Sequence, residues 1–425
     1  MGVIQKGFMD LLKPYQGLPR EVYIIFIARI INAMGVLVFP LLTLILTKKL
    51  GLSNAEAGFW LSISGLMWGP ASLIGGKLTD IIGRKKIIIL FDTLGALAYL
   101  SISLLEPSMT LVYFIMVASF FMGVAQPAHD ALIADLTTPE NRNGAYSLTY
   151  LGFNMGFIIG PILGGLLFEN YFRFIFIIDG ITALLAVLLV WFFIGETIER
   201  TKEEIGDNRE LEKRVDGSIF EVLFARPILI YFALASFGFS FVYSQWSFMM
   251  PIHVENNFID QGAVIYGRMG AFNGFIVILF TPILTSLLMK QNNIRRIILG
   301  GILYTFGFGM LGFISTQMAF FISVFIFTLG EILVTISTVP FIVNHTPASH
   351  RGRMNSVLPL LIGFGHTLGP IVMGNVLELS SIEMGWKFVG LVMLLFTLLM
   401  IMIEKMDKRN EAKSEDKSKN VITVN

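Results

Sequence analysis

No cysteine occurs in the 425-residue chain. That excludes disulfides, thiolate metal sites and a cysteine nucleophile. Charge is scarce too: Asp, Glu, Lys and Arg make up 14 % of the residues, against about 25 % in soluble domains. No Walker pattern is present, and the glycine-rich stretches lie in apolar runs rather than after strands, so they are not nucleotide loops and ATP is not the expected energy source. No His/Asp/Glu group has the spacing of a metal site, and nothing points to an enzyme or a cofactor. A net charge of +1 gives no ground for a nucleic-acid partner. The first 20 residues lack the short apolar core and small-residue cleavage site of a secretory signal.

What the chain has in abundance is apolar sequence: 55 % hydrophobic, with a mean hydropathy of +0.73. It comes in runs of about 20 residues, the length an α-helix needs to cross a 30 Å hydrocarbon core. Backbone polar groups must be satisfied inside lipid, so spans are helices or closed barrels, and these runs are too long and uniform for barrel strands. The expected class is an all-α membrane protein with twelve transmembrane helices, near 21–47, 55–79, 86–105, 109–135, 143–168, 172–195, 219–250, 262–289, 294–315, 317–343, 353–379 and 382–404. The polar segment 196–218 divides them six and six. This gives an N-terminal bundle over 1–195, a middle loop over 196–218, a C-terminal bundle over 219–404 and a polar tail over 405–425, expected to be unstructured. With the N-terminus inside, 25 of the 31 basic residues fall on the inner side and four on the outer. The positive-inside rule then places both termini and the middle loop in the cytoplasm of a cell-membrane protein.

The halves repeat. "ENRNGAYSLTYLGFNMGFIIGPILGGLLFE" (140–169) matches "SHRGRMNSVLPLLIGFGHTLGPIVMGNVLE" (349–378). Arg142 aligns with Arg351, Gly156 with Gly365, Gly160 and Pro161 with Gly369 and Pro370, and Glu169 with Glu378. Six spans repeated in parallel is the plan of alternating-access carriers, which bind substrate near the midplane.

One short stretch breaks the apolar pattern between spans 2 and 3: "GGKLTDIIGRKK" (75–86). Gly76 permits close helix approach. Asp80 sits at a helix C-terminus, where an acid calls for a cation. Gly83 allows a tight turn, and Arg84 is one turn from Asp80. The stretch resembles the loop 2–3 signature of the major facilitator superfamily through Gly76, Asp80, Gly83, Arg84 and Lys85, and departs from it at Ile81. The resemblance implies a conformational latch on the cytoplasmic side, carried to Asp80, Arg84, Asp135 at the end of span 4, and Arg142. As a bare topology signal, Arg84 to Lys86 would be positive-inside anchors only.

"GFIIGPILGG" (156–165) resembles the span-5 motif of the drug:proton antiporters in that superfamily. Gly156, Gly160, Pro161, Gly164 and Gly165 fill it completely. The glycines give a smooth packing face and the proline bends the helix. The span-4 arginine of many such antiporters is replaced here by Ser119.

Ionisable groups at depth in a membrane are costly, so each is a functional candidate. Glu331, in "FTLGEILVT" of span 10, lies roughly 20 Å from the outer end at 1.5 Å per residue. It resembles the span-10 acid of multidrug family members, used there for proton coupling or cation recognition. Asp130 on span 4 is the second proton candidate, with a salt bridge to Arg29 as the alternative. Gln126 lies one turn from it and His129 adjoins it. Asp92 and Asp179 read as structural, and Arg268 as an interfacial anchor. The substrate-cavity candidates are Asn32, Gln126, Asn154, Tyr243, Gln245, Trp246, Asn273, Glu331 and His366.

The resemblance implies a secondary transporter that exports hydrophobic or cationic small molecules in exchange for protons, driven by the proton gradient. A monomer in the bilayer, without nucleic-acid or metal partners, is expected. A sugar, metabolite or lipid carrier on the same fold is the alternative, and a non-transporting membrane sensor the alternative of another class.

Overall fold

The computed structural model describes residues 15–138, 141–198, 226–288, 291–346 and 351–422. Among them the chain is helical, with short turns and no strand. The helices are α1 (Arg20–Met34), α2 (Val38–Leu44), α3 (Asn54–Ile82), α4 (Arg84–Ile102), α5 (Met109–Asp135), α6 (Arg142–Phe168) and α7 (Phe172–Phe193). After the middle segment come α8 (Pro227–Tyr243), α9 (Met249–Asn257), α10 (Gly262–Leu287), α11 (Asn293–Gly309), α12 (Gln317–His345), α13 (Arg351–Leu379) and α14 (Ile382–Ile422). Of the middle segment 196–218, only residues up to 198 are described.

Among the described residues, eleven helical stretches are long and apolar enough to cross a membrane. α4, the third expected span, falls short by that measure because Lys85, Lys86 and Asp92 interrupt its apolar run. Two expected spans are each broken once. α1 gives way to α2 at Gly35–Leu37, and Asp179 of α7 accepts hydrogen bonds from Leu37 N (3.3 Å) and Val38 N (3.2 Å) across the break. Asp179 therefore supports the backbone, as an acid in a structural role should. The α8–α9 break is a 3₁₀ turn over Ser244–Trp246.

Local signals explain the helix ends. Ser53 and Glu56 form a capping box at α3: Glu56 N donates to Ser53 Oγ (3.2 Å) and Ser53 N to Glu56 Oε2 (2.9 Å), a pattern worth about 1 kcal/mol. Gly83, at φ +114°, turns the chain from α3 into α4 in a conformation that only glycine adopts easily. At its far end, α14 continues to Ile422 where the sequence suggested an unstructured tail. The stretch after Glu404 is rich in Lys and contains no Gly or Pro, so nothing in it breaks the helix. The Lys408–Glu404 pair (2.5 Å) adds one i,i+4 link.

The chain forms two compact units. The first comprises Met1–Arg209 and Met250–Ile278, the second Glu210–Met249 and Leu279–Asn425. Residues 250–278, which the internal repeat assigns to the second half, thus pack as part of the first unit. In the first unit α6 lies on α1 and α2 through its motif glycines: a Cβ at Gly156 would meet the Ile30 carbonyl and one at Gly160 the Ala33 carbonyl, both of α1, and one at Gly164 would meet Leu41 of α2. Gly165 faces Ala263 of α10, and Gly267 of α10 faces the Pro161 carbonyl in return. Small residues at such crossings bring backbones together where lipid offers no hydrophobic drive. The second unit is centred on fully buried aromatics, with Phe308 stacked on Phe327 (4.6 Å, 10°) and Trp386 (6.0 Å, 10°).

Candidate transport site

Each unit holds a cluster of polar groups, and the first also carries charged networks at both ends of its helices.

At the α3–α4 turn, Arg84 Nε donates to Asp135 Oδ2 of α5 (2.8 Å), with both side chains nine-tenths buried. Arg84 also donates to the Thr79 carbonyl (3.2 Å). Asp80 is a looser partner, 3.8 Å from Arg84 with its side chain 76 % exposed. Arg142 does not join Asp135. It donates to the carbonyls of Ala134 and Thr137 (3.2 Å each) and closes the end of α5, the terminus that a cation stabilises. Gly76 makes no close approach, since a Cβ there would meet nothing; at neighbouring Gly75 it would strike the Val124 carbonyl of α5. The tight crossing belongs to Gly75.

Two residues of this network carry no signal in the sequence around the turn. Glu196 Oε1 accepts from Arg84 N (2.9 Å) and Thr197 N (3.0 Å). It thereby caps α4, and the helix dipole favours an acid there. Thr197 Oγ1 donates to Asp135 Oδ2 (2.8 Å). Both lie more than 110 residues beyond the turn they serve.

At the opposite end of the same unit, Lys48 Nζ lies 2.8 Å from Glu169, 2.5 Å from Glu255 and 3.4 Å from Asp260. Lys49 pairs with Glu169 (3.2 Å) over the ring of Phe168. Burial pushes the Glu169 carboxyl up, but hydrogen bonds from Lys48 and Lys49 more than offset this and hold it below the usual carboxylate range.

In the membrane-spanning part of the first unit, Gln126 Nε2 donates to Asp130 Oδ1 (3.1 Å). Arg29 is within electrostatic reach of Asp130 and of Asp92. Asn154 Nδ2 donates to the Tyr150 carbonyl (2.8 Å) and is buried, as is Asn273 of α10; Asn32 is half-buried on α1. Arg268 is exposed on α10.

In the second unit, Glu331 of α12 is half-buried and within electrostatic reach of Tyr304 on α11. Tyr304 stacks on Tyr243 at the end of α8 (5.9 Å, 26°) and lies beside Phe239 (6.2 Å) and Phe308 (5.5 Å). Gly330 and Gly300 bring α12 against α11 at this point. Tyr243 and Glu331 thus share one aromatic neighbour, which the sequence did not single out. Gln245 and Trp246 are buried: Gln245 Nε2 donates to the Phe241 carbonyl (3.0 Å) at the 3₁₀ turn, and Trp246 packs on Phe327 (5.1 Å). His366 is half-buried on α13, next to Gly365, which packs on Phe237 of α8. An acid beside stacked aromatic rings is suited to holding a lipophilic cation, through charge on one side and ring faces on the other.

A sequence model described as the Major Facilitator Superfamily matches residues 25–358. The chain belongs to this superfamily. It is therefore a transporter-family protein that crosses the membrane several times, and it resembles the drug:proton antiporters of the family. Over 407 residues it is 25 % identical to "Multidrug resistance protein 2" of Bacillus subtilis (strain 168), covering 92 % of this chain and 97 % of that protein. Over 377 residues it is 24 % identical to a "Na(+), Li(+), K(+)/H(+) antiporter" of Planococcus maritimus, covering 83 % and 88 %. Among solved structures, peptide transporter POT in complex with sulfate superposes with a TM-score of 0.76 at 15 % identity, covering 93 % of this chain and 96 % of the other. That likeness concerns the fold.

Proposed function

We propose that the chain is a secondary active exporter of hydrophobic or cationic small molecules, exchanged for protons by alternating access of the bundles 1–195 and 219–404. The reading places both termini in the cytoplasm, the Arg84–Asp135 latch on the cytoplasmic side and the Lys48 cluster on the outer side of the cell membrane. The proton gradient supplies the energy, and the monomer is the working unit.

One observation carries the reading: Glu331 stands within the span α12 and within reach of the Tyr304–Tyr243 stack. A carboxyl there holds a proton or faces a cation, and binding one disfavours the other. Such competition is linkage between two ligands at a single group. Similarity to a named multidrug resistance protein over nearly the whole chain supports the substrate class. A second reading, exchange of alkali cations for protons, is favoured by the name of the Planococcus maritimus relative.

The test is transport in everted vesicles, wild type against Glu331→Gln, with ethidium and separately with sodium, with and without an imposed proton gradient. Gradient-driven ethidium uptake that disappears in the variant is the expected result. Uptake unchanged in Glu331→Gln removes Glu331 from the site. No ethidium movement combined with sodium-dependent proton release replaces the first reading by the second.

A further inference from the structure

The first unit contains a group of charges within its spans that does not balance: His129 and Asp92 are part-buried, and Asp130 beside them is exposed. His129 of α5 faces Asp92 of α4, with Nε2 2.7 Å from Oδ2 and the two side chains 20 % and 19 % exposed. The helices approach here because Gly95, one turn on from Asp92, packs against Met122 and the Ala118 carbonyl. Asp130, next to His129, takes the amide of Gln126, and the Tyr146 hydroxyl of α6 donates to the Asp130 carbonyl (2.9 Å). Arg29 of α1 reaches both acids. α3 also packs on α5 and brings Ala71 and Gly75 to it. The acid of α7, Asp179, is engaged at the α1–α2 break.

Counted at neutral pH, Arg29 contributes one positive charge and Asp92 and Asp130 two negative ones. With a neutral His129 the group carries one net negative charge; with one added proton it carries none. An ionised carboxylate offers only acceptors, so the 2.7 Å bond has Nε2–H donating to Asp92, and the bonded nitrogen already holds a hydrogen. The added proton goes to the other ring nitrogen or to a carboxyl. His129 lies six residues, about 9 Å, inside the Asp135 end of α5, within the span Met109–Asp135. Uncompensated charge at such depth is costly, so the cluster favours taking up one cation, and a proton is the one its donors fit.

We propose that the Asp92–His129 pair, with Arg29 and Asp130 setting its charge balance, is a one-proton exchange site in the first unit, separate from Glu331. This deepens the proton-coupled reading above and rests on it. A purely structural His–Asp bond would tie α4 to α5 without affecting how transport responds to a proton gradient.

The experiment compares wild type with His129→Gln, Asp92→Asn and Asp92→Glu, in everted vesicles with ethidium and as purified full-length protein. The Asn and Gln variants are expected to equilibrate ethidium across the membrane yet lose gradient-driven accumulation by at least tenfold, and Asp92→Glu to recover it. On the purified proteins, counting protons taken up between pH 8 and pH 5.5 should give one fewer for Asp92→Asn than for wild type, because the variant cluster is neutral without the added proton. Thermal melting confirms that each variant is folded. Wild-type gradient response in folded Asp92→Asn or His129→Gln overturns the proposal and leaves the export reading standing. If wild type moves no ethidium, the export reading fails, and the proton count alone decides: an equal count in Asp92→Asn overturns the proposal.

Discussion

Arg84 Nε and Asp135 Oδ2 meet at 2.8 Å with each side chain 9 % exposed, while Asp80, the acid nearest to Arg84 in sequence, stays 76 % exposed at 3.8 Å. Removing one partner of a buried pair strands the other charge, which costs roughly 3–5 kcal/mol. An exposed i,i+4 pair is worth about 0.3–0.5 kcal/mol. Asp135→Asn is therefore expected to lower the thermal midpoint of the purified protein strongly and Asp80→Asn hardly at all. Equal shifts would show that the energy of the latch is not concentrated in the Arg84–Asp135 bond.

Glu196 holds the first turn of α4 through Arg84 N (2.9 Å) and Lys86 N (3.4 Å). Loss of such a cap costs about 1 kcal/mol, and up to about 2 in favourable settings. Glu196→Ala should be less stable than wild type by this amount, and Glu196→Gln, which keeps an acceptor, by less. Amide hydrogen exchange at residues 84–86 is the direct measurement, with faster exchange expected in Glu196→Ala.

How much of this was legible beforehand depends on range. Gly83 and Arg84 were marked by a local pattern and Asp135 by the family resemblance, and the structure joins Arg84 to Asp135. The motif glycines 156–165 were legible as a packing face because their spacing repeats along one helix. Glu196, Thr197, Lys48 and Glu255 left no trace, because each acts on a residue more than 60 positions away and its own neighbours look like ordinary loop or helix-end sequence. Arg142 entered the latch only through the family resemblance, and its bonds run to the helix-end carbonyls of Ala134 and Thr137, contacts that no local pattern marks. Gln245 and Trp246 were cavity candidates because their segment resembles the family's cavity segment, and only the course of the 3₁₀ turn shows them buried. The weight of Asp92 and His129 emerges only when Arg29, from a third helix, is brought beside them.

Two glycines of similar appearance should behave oppositely. A Cβ on Gly267 would fall on the carbonyl of Pro161, which is backbone and cannot turn aside. A Cβ on Gly76 would meet nothing. Overpacking at a tight contact costs typically 1–3 kcal/mol, whereas Gly→Ala in an open helical position gains roughly 0.5–1 kcal/mol. Gly267→Ala is expected to lower the melting midpoint and Gly76→Ala to leave it unchanged or raise it. A neutral Gly267→Ala would mean that α10 can slide on α6 at little cost.

The Lys48 cluster gives the pH dependence a definite sign. The Glu169 carboxyl is held below its ordinary value by Lys48 and Lys49 despite the opposing effect of burial. A carboxyl lowered on folding adds stability above its unfolded pKa, about 4.3, and that stability is lost as pH falls through the folded value. The cluster should therefore be fully effective from pH 8 down to about 5, and its contribution should fade only in stronger acid. Lys48→Gln removes the cation between Glu169 and Glu255, leaves two acids facing each other, and should shift this loss to higher pH. Since the chain has no native cysteine, single cysteines placed at Phe168 and Val264 can report the packing of α6 on α10 by crosslinking rate. Because the thiolate is the reactive form, each rate is corrected for the pH dependence of free thiol reactivity; so corrected, the wild-type background should crosslink at a constant rate between pH 8 and pH 5. With Lys48→Gln added, the rate should fall as the pH is lowered within that window, because the acids then protonate from a raised value and their geometry changes. A wild-type rate that itself changes between pH 8 and pH 5 would mean that a group other than Glu169 governs the packing of this end of the unit.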